Sequence, residues 1–274
     1  MLRKLINNSV WHSLKVASNS KVFMAYMNLI KRAFHIGKIE GWVSVWWKTY
    51  RYFLSKIVTY LASKFFAVNS QEYWNFRMKY DWSAVGGGGQ TQLFAASLFA
   101  NVPKLAGEKI GTVLDYGCAT GDSSIILRIF FPAAKIYLYD LSEIGLSQAI
   151  GKYKRFVDVS PWKSNQKVDF VYSSNVIEHV NNPRVFVNTL IEASNCFVVI
   201  QCPWKEFHSS GEKLSVENPS HEHIWTIDEE FFDKYIKDDR VEWSHTTGIV
   251  PMAWEGGVQA YFFGVIKNNA ISNT

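Results

Sequence analysis

The stretch from Val113 to Ser124 carries residues whose types and spacing suit nucleotide binding. A run of β-favouring residues ends in Asp115, a glycine turn follows from Gly117 to Gly121, and a helical apolar pattern begins at Ser123. Strand, glycine turn and helix in this order form a nucleotide-binding βα unit. A dinucleotide motif needs two further glycines, where this chain has alanine and aspartate. Because Asp115 would repel a pyrophosphate, the turn favours a ligand with positive charge.

The turn resembles the first motif of class I S-adenosylmethionine-dependent methyltransferases, D-x-G-x-G-x-G. The motif matches at Asp115, Gly117 and Gly121, with Ala119 in place of the middle glycine. S-adenosylmethionine carries a positive ammonium and sulfonium, which fits an acid at this position. The resemblance implies S-adenosylmethionine as cofactor, and a doubly wound, seven-stranded, mostly parallel α/β sheet (Rossmann-like) with an antiparallel last strand.

Further residues in the same order fit cofactor binding. Asp140 follows a predicted strand, Lys135–Tyr139, and lies nineteen residues after the glycine turn ends. An acid at about that distance accepts hydrogen bonds from the ribose hydroxyls. The next residue, Leu141, offers an apolar surface to the adenine. A third strand is predicted from Arg155 to Val159, with Asp158 near its end to accept from the adenine amino group and Val159 beside it.

A fourth strand, Val168–Ser173, leads into the stretch from Ser174 to Val180. This stretch resembles the motif that follows the fourth strand in many of these enzymes, which ends in Glu-His-Val. The resemblance implies that Asn175 borders the cofactor. Methyl transfer to a hydroxyl needs a base, and His179 lies at the rim where the methyl group would point. His179 is therefore either that base or a capping residue that holds the turn.

The segment from Pro203 to His223 is long for a connection and is predicted to form an acceptor-binding lid. The lid residues that carry chemistry are Trp204, His208, His221 and His223. A metal is conceivable from His221 and His223 with His208 or Glu222. Some quinone-pathway relatives have Glu, Glu and His where this chain has Asn175, Glu178 and His179, and the Asn argues against a metal there. We expect no metal.

The lead-in to the glycine turn also resembles that of bacterial methyltransferases associated with surface-polysaccharide genes. They have a Tyr-Trp…Arg segment, here Tyr73 to Arg77, and then a glycine turn, here Gly86–Gly89. Arg77 either pairs with the methionine carboxylate or is a surface arginine. The four glycines lack the lysine of a P-loop, so they are predicted to form a flexible hinge over the cofactor.

The remaining elements alternate between strand and helix, which indicates a doubly wound sheet. Asn182 and Pro183 are typical of a helix start, and Thr226 to Glu229 forms a capping-box sequence. The remaining strands are predicted at Cys196–Cys202, Val241–Thr246 and Tyr261–Ile266.

Charge divides the chain into two parts. Residues 1–70 contain eleven Lys/Arg and one acid, a net of +10, whereas residues 71–274 contain eighteen Lys/Arg and twenty-three acids, a net of −5. The length of 274 residues accommodates one α/β domain plus an appendage. We therefore predict a basic aromatic arm, 1–70, and a methyltransferase domain, 71–274. The three cysteines form no disulfide framework, which favours the cytoplasm.

The arm combines aromatic side chains with cations in its residues 41–68, which contain no acid. Its uncharged runs are too short to span a bilayer, and Lys/Arg with Trp and Phe at helical spacing is typical of an interfacial helix. The alternative is a helical cap that packs on the catalytic domain or on a second subunit. Nucleic-acid binding fits less well because the arm is too apolar.

These features predict a bacterial S-adenosylmethionine-dependent methyltransferase, peripheral on the inner face of the membrane. Its expected acceptor is the oxygen of a glycan or of a lipid-linked molecule in the cell envelope. A prenylated quinone or another small molecule is the alternative acceptor. The alternative class is a non-catalytic scaffold that keeps the nucleotide-binding fold.

Overall fold

The computed structural model describes residues 42–155, 157–205, 222–250 and 257–267. The helices are α1 (Trp42–Phe65), α2 (Gln71–Tyr80), α3 (Gly87–Asn101), α4 (Ser123–Phe130), α5 (Glu143–Tyr153), α6 (Pro183–Ala193) and the short α7 (Glu229–Phe231), which continues as a π-helix (Phe232–Ile236). Two 3₁₀ helices cover Pro103–Gly107 and Ile177–His179. The strands are β1 (Thr112–Tyr116), β2 (Lys135–Tyr139), β3 (Val159–Pro161), β4 (Val168–Ser174), β5 (Ser194–Pro203), β6 (Val241–Ile249) and β7 (Val258–Ile266).

Within the described residues, the seven strands form one sheet in the order β3-β2-β1-β4-β5-β7-β6. The pairings from β3 to β5 are parallel, and β7 runs antiparallel to both β5 and β6. The predicted Rossmann-like fold with an antiparallel last strand is confirmed. In such a sheet the ligand binds beyond the carboxyl ends of the strands, where the order reverses beside β1.

Helices cover both faces of the sheet. On one face, α3, α4 and α5 contribute Leu98, Leu127 and Ala149 to a fully buried cluster. On the other face, α6 and α7 contribute Leu190 and Phe231 to a second cluster. Asn182 caps α6 by accepting from the amide of Val185, as the sequence predicts.

Two local expectations are wrong. The third strand begins at Val159, not Arg155, because α5 extends to Tyr153 and the amide of Val157 closes the following turn onto the Tyr153 carbonyl at 2.9 Å. The cap of α7 is Asp228, whose carboxylate accepts from the amide of Phe231, so Thr226 lies before the helix.

The chain divides into two compact units, 1–56 and 57–274, and this division falls inside α1. In the first unit, α1 exposes Trp46, Trp47, Tyr50 and Phe53. In the second unit, α1 buries Val58 and Ala62 and exposes Tyr60 and Phe65. None of the described helices combines the length and apolarity needed to cross a bilayer.

Candidate functional site

The turn after β1 has a backbone that few residues tolerate. Gly117 has a φ of 84°, and a Cβ there would lie 2.2 Å from the Val176 side chain. Ala119 also takes a left-handed conformation, with a φ of 49°. Having alanine instead of the motif's middle glycine at this position therefore costs about 1 kcal/mol of folding free energy. The resulting turn closes tightly against the residues that follow β4.

Asp140 joins the glycine turn to the next βα unit. One of its carboxylate oxygens accepts from the amide of Ala119 and the other from the amide of Ser142, each at 2.7 Å. Carboxylate oxygens hold further lone pairs, so Asp140 can still accept from a ribose. Leu141, the predicted adenine contact, is exposed beside it.

One buried carboxylate, Asp115, and one partly buried carboxylate, Asp140, give the site its electrostatic character. Burial raises the pKa of Asp115 to about 7, with Ser123 donating a hydrogen bond that opposes this rise and Asp140 adding to it. Burial likewise raises the pKa of Asp140 to about 6, against the two backbone amides that lower it. A positively charged ligand offsets the cost of keeping these two carboxylates ionised away from water, which agrees with the charge inferred from the sequence.

The glycines before α3 do not form the expected hinge. Gly87, Gly88 and Gly89 are the first residues of α3. Gly87 and Gly88 pack closely, because a Cβ on Gly87 would lie 2.3 Å from the Trp82 ring and a Cβ on Gly88 would lie 2.8 Å from the Asp122 carboxylate. The start of α3 is therefore packed closely against Asp122, which directly follows the glycine turn.

Asp122, at the position of a dinucleotide motif's last glycine, is held by its neighbours. Its carboxylate accepts from Lys152 at 2.7 Å, Tyr153 at 2.6 Å and Thr120 at 2.6 Å. Burial raises its pKa, but these donors outweigh burial and hold the pKa below its ordinary value.

Asp158 and Val159 do not reach the site. Val159 pairs with Ile136 near the start of β2, and Asp158 precedes it. Asp140 follows the opposite end of β2, about 17 Å away at the usual rise per residue. The prediction that Asp158 accepts from the adenine is wrong, because β3 starts later than the sequence pattern indicates.

Asn175 lies directly after β4 in a left-handed conformation, with a φ of 53°. Its amide donates to the Gln201 carbonyl at 2.8 Å, and its side-chain nitrogen donates to Ser174 at 2.8 Å. Its side-chain oxygen is buried and accepts from none of the described residues. This oxygen is free for a ligand donor, which is compatible with the predicted cofactor role.

His179 ends the 3₁₀ helix after β4, and its ring is held by its neighbours. Its Nδ1 lies 2.9 Å from the backbone carbonyl of Glu222, and its Nε2 lies 4.0 Å from a carboxylate oxygen of Glu178. The Trp74 ring packs edge-on against it, with a centroid distance of 5.2 Å. A carbonyl can only accept, so Nδ1 carries a proton, and in the neutral form of the ring the lone pair is on Nε2.

Glu222 contacts both His179 and Arg77, and neither contact was predicted from the sequence. Its carboxylate accepts from both Arg77 and Tyr73. Its carbonyl accepts from Asn69 at 2.7 Å as well as from His179. Because it lies 145 residues from Arg77, no local pattern indicates the contact.

Arg77 is buried, with 7% of its surface exposed, so the surface alternative is wrong. Its Nε also donates to both oxygens of Asp81, at 2.8 and 2.9 Å. Burial lowers the pKa of Arg77, but Glu222 and Asp81 outweigh burial and raise it. Arg77 thus stabilises α2 and the segment at Glu222, and its pairing with the methionine carboxylate stays a prediction.

The predicted lid is described only at its two ends. Trp204 follows β5 and packs against the core, 6.0 Å from Phe262 between ring centroids. His223 lies next to His179, with ring centroids 4.7 Å apart. His208 and His221 lie outside the described residues. Contact of any of these residues with an acceptor stays a prediction.

The family model of the methyltransferase domain matches residues 89–238, which is more than half of the chain. The chain belongs to the methyltransferase domain family. The matched range contains the glycine turn, Asp140 and His179. This methyltransferase therefore has S-adenosylmethionine as its cofactor. No curated protein matches the methyltransferase in a sequence comparison.

Solved structures with TM-scores above 0.5 share the fold of this methyltransferase at low sequence identity. A chain from the complex between the Haloferax volcanii Trm112 methyltransferase activator and its candidate methyltransferase is 13% identical, with a TM-score of 0.52 over 68% of this chain and 96% of that one. A candidate O-methyltransferase from Nostoc punctiforme is 14% identical, with a TM-score of 0.51 over 70% and 60% of the two chains. Magnesium protoporphyrin IX methyltransferase from Synechocystis, with bound S-adenosylhomocysteine, is 17% identical, with a TM-score of 0.47 over 67% and 85%.

Proposed function

We propose that this methyltransferase transfers the methyl group of S-adenosylmethionine to an oxygen of a glycan or lipid-linked envelope acceptor. It acts at the cytoplasmic face of a bacterial membrane. Transfer to oxygen is supported by the orientation of the His179 ring, whose Nδ1 donates a hydrogen bond to the Glu222 carbonyl. With Nδ1 donating to this carbonyl, Nε2 is the ring nitrogen that accepts the proton of the hydroxyl.

The cofactor lies across the carboxyl ends of β1 and β2 in this proposal. Asp115 faces the positive charge of the methionine part, Asp140 accepts from the ribose, and Leu141 covers the adenine. The buried side-chain oxygen of Asn175, which has no partner among the described residues, accepts from the cofactor as well. Asp158 has no part in binding because of its position at the other end of the sheet.

The transfer itself is an in-line displacement that needs an aligned nucleophile. The acceptor oxygen attacks the methyl carbon, and the carbon–sulfur bond breaks with its electron pair going to sulfur. The hydroxyl proton passes to Nε2 of His179. The Glu178 carboxylate, 4.0 Å away, stabilises the imidazolium that forms.

Side chains of α1 support the membrane location. Trp46 is 77% exposed, and Trp47, Tyr50 and Phe53 are exposed as well. The helix contains the cations Lys48, Arg51, Lys56 and Lys64 and no acid. Exposed aromatic side chains together with cations fit the headgroup region of an anionic membrane.

Transfer of labelled methyl groups tests the proposal. Full-length protein is incubated with methyl-labelled S-adenosylmethionine and a bacterial envelope fraction, which is then separated into glycan, glycolipid and quinone pools. We expect label in the glycan or glycolipid pool, and label confined to the quinone pool would contradict the proposed acceptor.

The variant His179→Ala tests the base. We expect its turnover to fall by about 100-fold or more, the usual contribution of a positioned base, while its affinity for S-adenosylhomocysteine stays close to wild type. If turnover is unchanged and the melting temperature falls, His179 is a capping residue.

A further inference from the structure

Three potential metal ligands meet beside the cofactor site. Glu178, His179 and His223 each offer one donor atom, and the three atoms lie within 4.8 Å of one another. The Glu178 side chain is only 1% exposed, and that of His179 is 14% exposed. The two imidazole planes are at 78° to each other. The group therefore combines one buried carboxylate with two imidazoles around one point.

Contacts outside the group orient these ligands. The Nδ1 of His179 faces the Glu222 carbonyl, which directs the Nε2 lone pair toward Glu178. Metal-bound histidines usually donate their second ring nitrogen in this way. The amides of Ile224 and Trp225 donate to the Glu178 carbonyl at 2.8 and 3.3 Å. The segment that carries His223 is thereby fixed to the segment that carries the other two ligands.

The dimensions of the group suit a zinc-type ion. A point equidistant from three atoms that are all 4.8 Å apart lies 2.8 Å from each. Zinc bonds to nitrogen and oxygen are about 2.0–2.2 Å, so each ligand atom needs to move by less than about 1 Å. Two imidazoles and one carboxylate favour zinc and related transition metals over magnesium or calcium, which prefer oxygen ligands.

We propose that Glu178, His179 and His223 bind a divalent transition-metal ion of the zinc class, and that this ion inhibits methyl transfer. The ion takes the Nε2 lone pair of His179, which then cannot accept the proton of the acceptor hydroxyl. The inhibition rests on the proposed function of His179, whereas the binding does not. Asp115 and Asp140 lie at the ends of β1 and β2, whereas Glu178 and His179 follow β4. The ion therefore leaves cofactor binding by these two carboxylates unchanged.

Zinc titration of the full-length protein tests the binding. Protein freed of metal by a chelator is titrated with Zn²⁺ against a coloured competitor, and with Co²⁺, whose visible absorption reports coordination. The ligand variants are Glu178→Gln and His223→Gln. The matched control is His245→Gln, since His245 lies on β6 among aromatic rings and outside the group.

We expect one Zn²⁺ in the wild type and in the control, and a loss of affinity of about 100-fold or more in the two ligand variants. Equal zinc binding by all four proteins, or no binding by the wild type, would overturn the site.

A transfer assay with and without saturating Zn²⁺ tests the inhibition. We expect zinc to abolish methyl transfer by the wild type and to leave its affinity for S-adenosylhomocysteine unchanged. Transfer that is unaffected or accelerated by zinc would overturn the inhibition. The zinc titration needs neither cofactor nor acceptor, so its failure is distinguishable from failure of the proposed function, which would appear as no transfer by the metal-free protein.

Discussion

The carboxylate of Asp140 accepts from two backbone amides, and we propose that it also accepts from the ribose of the cofactor. The variant Asp140→Asn removes the charge with little change in shape. We expect its affinity for S-adenosylhomocysteine to fall by about 2–4 kcal/mol, because two hydrogen bonds to a charged group are weakened. Calorimetry measures the change.

The matched control is Asp169→Asn. Asp169 also accepts from two backbone amides, those of Gly111 and Thr112, each at 2.9 Å. It lies near the start of β4, beside the amino end of β1 and away from the carboxyl ends where the cofactor is proposed to bind. We expect the control to lower stability while keeping cofactor affinity, and an equal loss of affinity in both variants would reject the ribose contact.

We expect protonation of Asp115 to couple cofactor binding to pH. Burial raises its pKa to about 7 in the cofactor-free protein, and only its ionised form attracts a cation. Protons therefore compete with S-adenosylmethionine below this pKa. We expect affinity to rise by up to tenfold per pH unit from about pH 5 to about pH 7 and then to level off.

Calorimetric titration at several pH values measures this dependence. The variant Asp115→Asn cannot ionise, so we expect weaker binding with a flatter pH profile. A wild-type profile as flat as that of the variant would show that Asp115 does not face the positive charge.

At the scale of elements, the contacts of Arg77 join α2 to the segment at Glu222, which in turn holds His179. The variant Arg77→Met keeps the side chain's bulk and leaves Asp81 and Glu222 without their cation. Removing one partner of a buried ion pair costs about 3–5 kcal/mol. Denaturant unfolding of the full chain measures the loss.

An exposed ion pair provides the control for this variant. Lys237 and Asp233 pair at 3.5 Å with most of both side chains in solvent. We expect Lys237→Met to cost less than about 1 kcal/mol. A similarly small cost for Arg77→Met would mean that the buried pairs do not stabilise the segment around His179.

At the scale of the whole molecule, the membrane association proposed above depends on α1. We expect full-length protein to co-sediment with anionic vesicles, since each cation near the surface contributes about 1 kcal/mol. Burial of aromatic side chains adds a part that resists salt. A variant with Trp46→Ala, Trp47→Ala, Tyr50→Ala and Phe53→Ala should lose this salt-resistant part.

The control for α1 replaces exposed apolar residues elsewhere, Ile129→Ala and Val185→Ala. We expect this control to bind vesicles as the wild type does. If the wild type stays in the supernatant, or if the α1 variant sediments equally at high salt, the proposed membrane role of α1 is wrong.

Local patterns predicted the parts of the molecule that are local in the chain. The glycine turn, β2 and the cap at Asn182 each depend on neighbouring residues, and they lie where the sequence places them. The start of β3 was wrong because the turn after α5 uses residues whose apolar pattern resembles a strand. The contact between Arg77 and Glu222 was not predicted because only the folded chain brings them together.

The most direct measurement is a pair of calorimetric titrations of the full-length protein, one with S-adenosylhomocysteine and one with NADH. Asp115, together with Ala119 and Asp122 at two glycine positions of the dinucleotide motif, should exclude a dinucleotide's pyrophosphate. We expect one equivalent of S-adenosylhomocysteine to bind and NADH to bind far more weakly. Tighter binding of NADH would contradict the assignment of this site to S-adenosylmethionine.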